Sequence, residues 1–263
     1  MRSAVALTVA GSDSGGGAGI QADIKTFHLC GVHGTCAITS VTSQNTMGVV
    51  SRFDLPVEVV VSQLEAVLDD FEVAGAKTGM LASAAIIRAV SEVVTERGIK
   101  RLVVDPVAVS TSGHSLLDGG GIETIAEELF PLATVVTPNL AEASLLLGGE
   151  IGDLEGMREA AARIREMGPE CVLVKGGHLP GSAEAVDVFY DGSEFVTLSL
   201  PRVDTENTHG TGCMLSAAMA AYLALGEDPL GAARRAKSDV VRALRSSLDI
   251  GRGSGPVNPR PEP

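Results

Sequence analysis

Residues 5–29 read VALTVAGSDSGGGAGIQADIKTFHL, an apolar run that enters a glycine-crowded turn and leaves it as a helical stretch. The run predicts a first strand over Val5 to Ala10. Outward from it the same grammar repeats, with short β-branched runs at Thr35 to Thr42, Val73 to Lys77, Leu102 to Asp105, Thr134 to Thr137 and Val172 to Lys175. Longer Ala/Leu/Glu-rich stretches separate them. Such alternation is the signature of βαβ crossovers and predicts an α/β fold with a mostly parallel sheet. Ala185 to Tyr190 and Phe195 to Leu200, around Asp191-Gly192, read as a hairpin.

The helix limits are also written in the chain. Pro56 and Pro229 suit a first helical turn, Asp228 caps the latter helix, and Gly98, Gly168 and Gly226 stand where helices should stop. No internal repeat or interior linker interrupts residues 1–250, which read as a single domain. The tail 251–263, GRGSGPVNPRPEP, is Gly/Pro-rich and predicts a loosely attached segment.

Composition narrows the function. The 263 residues carry a formal net charge of −13, which argues against a nucleic-acid backbone binder. A hydrophobic fraction of 45% is enough for a large core. The N-terminal apolar run is too short for a signal or membrane segment, and Cys30, Cys36, Cys171 and Cys213 show no metal spacing. A reducing cytoplasm is the expected compartment.

Each strand end passes into polar or glycine residues: Gly11-Ser-Asp13, Gln44-Asn45, Lys77-Thr-Gly79, Asp105-Pro106, Pro138-Asn139 and Lys175-Gly-Gly177. Ligands bind at the carboxyl edge of an open parallel sheet, so these groups should converge on one site. Asn207-Thr-His-Gly-Thr-Gly-Cys213 runs straight into an apolar helix, a turn that aims backbone N–H groups and a helix dipole at an anion. Capping by Thr208 or Thr211 is the plain alternative. Cys213, at that helix start, is expected to have a lowered pKa and to accept a hydroxyl proton, unless burial makes it inert.

Asp105 and Glu142 suit Mg²⁺ beside a phosphate-bearing substrate, although Asn139-x-x-Glu142 is also the spacing of a capping box. Lys175 could place an ammonium on a phosphate or snorkel from a strand end. Gln44 could read the edge of a small heterocycle. Of the five histidines only His209 lies beside a suspected site. Gly17-x-Gly19-x-x-Ala22 is a loose dinucleotide fingerprint, but no Asp or Glu occurs between Asp23 and Asp54, and no Gly-Lys dipeptide provides a P-loop.

Seven segments taken in order, Ala10–Asp23, Thr39–Asn45, Lys77–Met80, Val104–Val107, Thr137–Ala143, Val174–Leu179 and Asn207–Cys213, resemble the hydroxymethylpyrimidine/phosphomethylpyrimidine kinases of thiamine biosynthesis. These belong to the ribokinase-like superfamily. The resemblance implies a three-layer α/β/α sandwich, ATP and Mg²⁺ as cofactors, and two phosphorylations: of 4-amino-5-hydroxymethyl-2-methylpyrimidine and of its monophosphate. It implies Gln44 on the pyrimidine with Gly11, Asp23, Met80 and Val107 nearby, and Asp105 and Glu142 serving Mg²⁺–ATP. Lys175 would hold the transferring phosphates, with Asn139, His209 and Thr211 on the nucleotide side and Gly210, Thr211, Gly212 and Cys213 forming the anion hole. A homodimer is implied as well.

Family members often carry methionine and lysine where this chain has Ala108 and Thr111, which would reduce rate or nucleotide affinity. Pyridoxal kinases of the same superfamily are the nearest alternative. From other classes, a sensor without turnover is disfavoured by the joint presence of Asp105, Glu142, Lys175 and the Gly-Thr-Gly-Cys turn, and an NAD-dependent oxidoreductase by the missing acid.

Overall fold

A computed structural model describes residues 3–108, 116–177, 179 and 183–260. Among the described residues, nine strands form one sheet in the order β3-β2-β1-β4-β5-β6-β7-β8-β9. The strands are β1 (Val5–Asp13), β2 (His33–Asn45), β3 (Gly48–Asp54), β4 (Val73–Thr78), β5 (Leu102–Val104), β6 (Val135–Val136), β7 (Cys171–Gly176), β8 (Glu184–Tyr190) and β9 (Phe195–Pro201). β2 to β7 are joined in parallel through β1, and β3, β8 and β9 pair antiparallel at the two edges.

Alternate strand residues point to opposite faces, and both faces are apolar, as a sheet covered on both sides requires. Ala6, Val103, Val135 and Leu173 pack on one side against Phe27 of α1 (Gly19–Leu29), α7 (Thr211–Ala224) and α8 (Pro229–Arg245). Leu7, Val104, Val136 and Val174 pack on the other, against α2 (Val57–Asp70), α3 (Ala84–Glu96), α4 (Gly121–Glu128), α5 (Leu140–Leu147) and α6 (Leu154–Arg165). This is the expected three-layer sandwich. Every residue of α7 from Met214 to Ala224 is buried, as its all-round apolar sequence demands. It lies so close to β4 that a Cβ on Gly75 would stand 2.7 Å from the Ala220 carbonyl oxygen.

The terminating signals act as read. Asp228 accepts the Gly231 N–H, Pro229 begins α8, and Gly98, Gly168 and Gly226 have positive φ. Three readings need correction. β3 was not expected: its mixed sequence comes after a two-residue turn, Thr46-Met47, with neither Asn-Gly nor Asp-Gly to announce it. β5 and β6 are shorter than predicted: Asp105 and Thr137 still donate to the Thr78 and Val104 carbonyls, but the next residues, Pro106 and Pro138, have no N–H with which to continue the ladder. The tail is attached, not loose, over its described residues. Val257 and Asn258 are buried, and the Val257 N–H donates to the His209 carbonyl at 3.0 Å.

The chain runs from β1 to β2 on one side and later from β4 onward on the other. The order therefore reverses between β1 and β4. That reversal opens a crevice beyond the carboxyl ends of the strands.

Candidate active site

The crevice holds a cavity of about 880 Å³, walled by the ends of β1, β2, β4, β5 and β7 and by the start of α7. Asp105 sits at its floor, just past β5, and is nearly fully buried. Its Oδ1 accepts from Lys175 Nζ at 2.8 Å and Thr137 Oγ1 at 3.1 Å, and its Oδ2 accepts from Ser216 Oγ at 3.0 Å. Burial alone would lower the Lys175 pKa, but the Asp105 and Glu142 carboxylates override it and keep the amine charged.

Glu142 closes a true capping box: it accepts the Asn139 N–H at 2.8 Å, and Asn139 accepts the Glu142 N–H at 2.9 Å. The capping and site readings coexist, because Glu142 and Asn139 also line the cavity. Burial pushes the Glu142 carboxyl up, with Lys175 opposing and Asp105 reinforcing the shift.

At the start of α7 the N-cap is Gly210, in the left-handed region at φ 84°, with no side-chain cap. A Cβ there would fall 1.9 Å from the Gly17 carbonyl oxygen, so only glycine fits. Capping by Thr208 or Thr211 is thus excluded. Thr211 spends its N–H and hydroxyl on the Thr208 carbonyl, at 3.2 and 2.6 Å. The N–H groups of Gly212 and Cys213 have no intrahelical acceptor by position, and both residues line the cavity. A Cβ on Gly212 would lie 3.4 Å from Lys175 Nζ, so the ammonium lies beside the start of α7. Of the four residues Gly210, Thr211, Gly212 and Cys213, the last two are the ones whose N–H groups stand without an intrahelical acceptor beside the cavity.

Cys213 departs from expectation. Burial pushes its thiol up to about 11, although Lys77 partly opposes the shift. The helix start does not lower its pKa, because desolvation of the thiolate outweighs the dipole.

The other end of the cavity is organised by Asp13, a residue the sequence reading did not single out. Its Oδ1 accepts the Gly15 N–H at 2.8 Å, and its Oδ2 accepts the N–H groups of Gly17 at 3.0 Å and Ala18 at 2.8 Å. The same Oδ2 lies 2.9 Å from His209 Nε2. Burial would raise the Asp13 pKa, but His209 and these N–H groups outweigh it and hold the carboxyl below its ordinary value. The Asp13 carboxylate already takes the N–H groups of Gly15, Gly17 and Ala18, so these are not offered to a pyrophosphate. The dinucleotide fingerprint fails for that reason.

Gln44 stands beside this cluster, its Nε2 3.3 Å from His209 Nε2, and Gly11, Met80 and Val107 line the same wing. A Cβ on Gly11 would meet Met80 Cε at 2.5 Å. His209 thus belongs with the Gln44 wing, although it was expected on the nucleotide side. Asp23 does not reach the cavity: it is fully buried behind it, bound by Lys77 Nζ at 2.8 and 2.9 Å and by Thr8 Oγ1 at 2.6 Å. Lys77, expected at this edge as a strand-end group but given no role of its own, does line the cavity. Its burial would lower its pKa, yet Asp23 holds it above the ordinary range. Ala108 is buried, whereas Thr111, His114 and His178 lie outside the described residues.

A family model described as Phosphomethylpyrimidine kinase matches residues 13–258. The chain belongs to this family. Among its relatives, the hydroxymethylpyrimidine/phosphomethylpyrimidine kinase of Rhizobium meliloti is 49% identical over 258 residues, covering 97% of this chain and 96% of the relative. The thiamine biosynthesis bifunctional protein ThiED of Geobacter sulfurreducens is 48% identical over 252 residues, covering 96% of this chain but 51% of the relative. The chain thus spans about half the length of that bifunctional relative. A solved pyridoxal kinase from Staphylococcus aureus, in complex with AMP-PCP and pyridoxal, superposes with a TM-score of 0.91 at 36% identity, covering 98% and 94% of the two chains. The fold is ribokinase-like.

In this phosphomethylpyrimidine kinase family member, two carboxylates, Asp105 and Glu142, face the cavity. Among the described residues no group of three His, Cys, Asp or Glu could hold a metal. That donor set fits Mg²⁺, a hard cation that keeps several waters and takes further oxygens from nucleotide phosphates. No helix among the described residues is long and apolar enough to cross a membrane.

The raised thiol pKa predicts slow alkylation of Cys213 by iodoacetamide at about pH 7.5. The site-resolved rate should climb about tenfold per pH unit up to pH ~10, because only thiolate reacts. A plateau by about pH 8, read by peptide mass spectrometry, would mean an activated thiol.

Proposed function

We propose that this chain transfers the γ-phosphoryl group of ATP to the hydroxymethyl oxygen of 4-amino-5-hydroxymethyl-2-methylpyrimidine, and a second one to the resulting monophosphate, supplying the diphosphate used in thiamine synthesis. The observation that carries the reading is the convergence on one spot of Lys175, the Gly212 and Cys213 N–H groups and Asp105, beside a neutral wing made by Gln44, Gly11, Met80 and Val107. The first group suits a transferring phosphoryl; the second suits an uncharged heterocycle.

Phosphoryl transfer depends on positioning and charge neutralisation more than on strong base catalysis. The Gln44 amide and the Met80 side chain seat the ring, and the Gly11 backbone allows its close approach. The hydroxymethyl oxygen then points to the start of α7. Lys175 neutralises charge on the migrating phosphoryl group, and the two N–H groups at the start of α7 bind its oxygens. In each transfer the bond between the γ-phosphorus and the bridging oxygen of ATP breaks as the acceptor-oxygen bond forms, and the acceptor, when protonated, loses its proton. Cys213 stands at that position as a neutral thiol, so it guides the hydroxyl by hydrogen bonding and does not take its proton, which passes to an oxygen of the transferred phosphoryl group or to solvent as the P–O bond forms. Val203 and, on α8, Val240, Val241 and Leu244 line the far wing, an apolar surface for the purine. Mg²⁺, held through Asp105 and Glu142 and their waters, would shield the phosphate charges.

Pyridoxal phosphorylation is the second reading, supported by the likeness to the Staphylococcus aureus enzyme. The greater identity to the pyrimidine kinases, 49% against 36%, favours the first. Coupled ADP release with Mg²⁺–ATP and hydroxymethylpyrimidine, its monophosphate or pyridoxal separates them. Turnover of both pyrimidines above pyridoxal is expected. Turnover of pyridoxal alone would move the assignment, and none with any acceptor would sink it.

The homodimer is part of the same proposal. Exposed Met47, Val50 and Phe53 on the β2–β3 hairpin, with Val41 opposite Phe53, form the surface a second copy would cover. Light scattering should give twice the chain mass, and Phe53→Glu should shift it toward the monomer. A monomeric wild type would refute this.

A further inference from the structure

The tail, which composition marks as loose, makes contacts that the catalytic reading leaves unused. Its two ends touch different sides of the cavity. At one end the N–H groups of Arg252 and Gly253 donate to Thr46 Oγ1, at 3.1 and 3.2 Å, in the turn just past Gln44 and Asn45. At the other, the His209 N–H donates to the Gly255 carbonyl at 3.1 Å, and the Val257 N–H donates to the His209 carbonyl at 3.0 Å. His209 is therefore held on both backbone groups by the tail. Between these points, Asn207 Oδ1 accepts the Gly255 N–H at 2.8 Å, and Ser254 Oγ donates to the Glu206 carbonyl at 2.8 Å.

The segment is anchored beyond the cavity. Val257 is buried in the α7–α8 layer, and Asn258 Nδ2 donates to the Ser246 carbonyl at 3.0 Å. Contact with the glycine-rich loop is tight: a Cβ on Gly17 would lie 2.4 Å from His209 Cδ2 and 3.1 Å from Pro256 Cβ. The imidazole of His209 reaches Asp13, and Asp13 gathers the N–H groups of Gly15, Gly17 and Ala18. A chain of direct contacts thus runs from residues 252–257 through His209 and Asp13 to the loop, and through Thr46 to the strand end carrying Gln44.

We propose that residues 252–257 are a strap that positions the pyrimidine-binding wing, with Asn207 and Thr46 as the residues that fasten it. The strap touches no reacting atom; it acts through His209 and the Thr46 turn. Lys175 and Asp105 are fixed by β5, β6, β7 and α7 without it. Loosening the strap should therefore impair the acceptor more than the nucleotide. This assignment rests on the reading of the Gln44 wing as the acceptor side.

Asn207→Ala removes the acceptor that fastens Gly255, whereas Asn207→Asp retains an oxygen in its place. We expect Asn207→Ala to raise KM for hydroxymethylpyrimidine about fivefold, the scale of one lost hydrogen bond, with KM for ATP within about twofold. Asn207→Asp should restore most of the loss. In hydrogen exchange on Asn207→Ala, the amides of Gly15, Gly17 and Ala18 should exchange about tenfold faster, with the central strands unchanged. Thr46→Val should act in the same direction on both readouts.

Equal changes in both KM values, or acceleration spread over the central strands, would make the strap merely structural and overturn the proposal. Unchanged exchange at the loop would overturn it too. If wild-type protein phosphorylates none of the acceptors, the acceptor reading has failed. The exchange measurement still decides whether the tail holds the loop.

Discussion

One carboxylate ties the working edge of this protein together. Asp105 leaves β5 and collects Lys175 from β7, Thr137 from the end of β6 and Ser216 from α7. Four elements from distant parts of the chain thereby share a single buried charge. Taking such a charge out of water is costly unless donors meet both oxygens, and here three donors do. The arrangement also fixes the ammonium of Lys175 over the start of α7, where Gly212 and Cys213 present their N–H groups. Stability of the edge and readiness for an anionic group have the same origin.

A second carboxylate does the corresponding work at the Gln44 end of the cavity. Asp13 draws the glycine-rich loop around itself and meets His209 from the far side of the sheet edge. Glycine is required where these parts meet: a Cβ on Gly210 or Gly19 would enter a carbonyl oxygen, of Gly17 and Gly11 respectively. The Lys175 wing and the Gln44 wing are each built around one acid, and Gly210 lies where they join. Lys77 and Asp23 form a further pair directly beneath, which keeps a buried positive charge near both Asp105 and Cys213.

Much of this was legible in the chain. The parallel strands could be read because each is a β-branched run ending in glycine, proline or a polar residue, and that same feature placed Gln44, Asp105 and Lys175 at one edge. β3 escaped because an edge strand with one exposed face carries a mixed sequence and its turn lacks the usual residues. The tail was misread because Gly and Pro content says nothing about partners, and its hydrogen bonds go to Thr46, Asn207 and His209, far away in sequence. Asp13 and Lys77 were placed at the edge but given no role for a similar reason: their roles come from contacts across loops and strands. For Cys213 the helix position was right, but local sequence does not report desolvation, and desolvation sets its pKa.

The central claim is that Lys175, held by Asp105, acts on the transferring phosphoryl group while the Gln44 wing binds the acceptor independently. A single-turnover measurement with γ-labelled ATP tests it most directly, comparing wild type with Lys175→Met after acceptor affinity has been determined for each. The account predicts that label transfer to hydroxymethylpyrimidine slows by a factor on the order of 10² to 10³, the scale for losing one transition-state donor, while acceptor affinity stays within about threefold. Transfer at an unchanged rate, or a loss confined to acceptor binding, would contradict it.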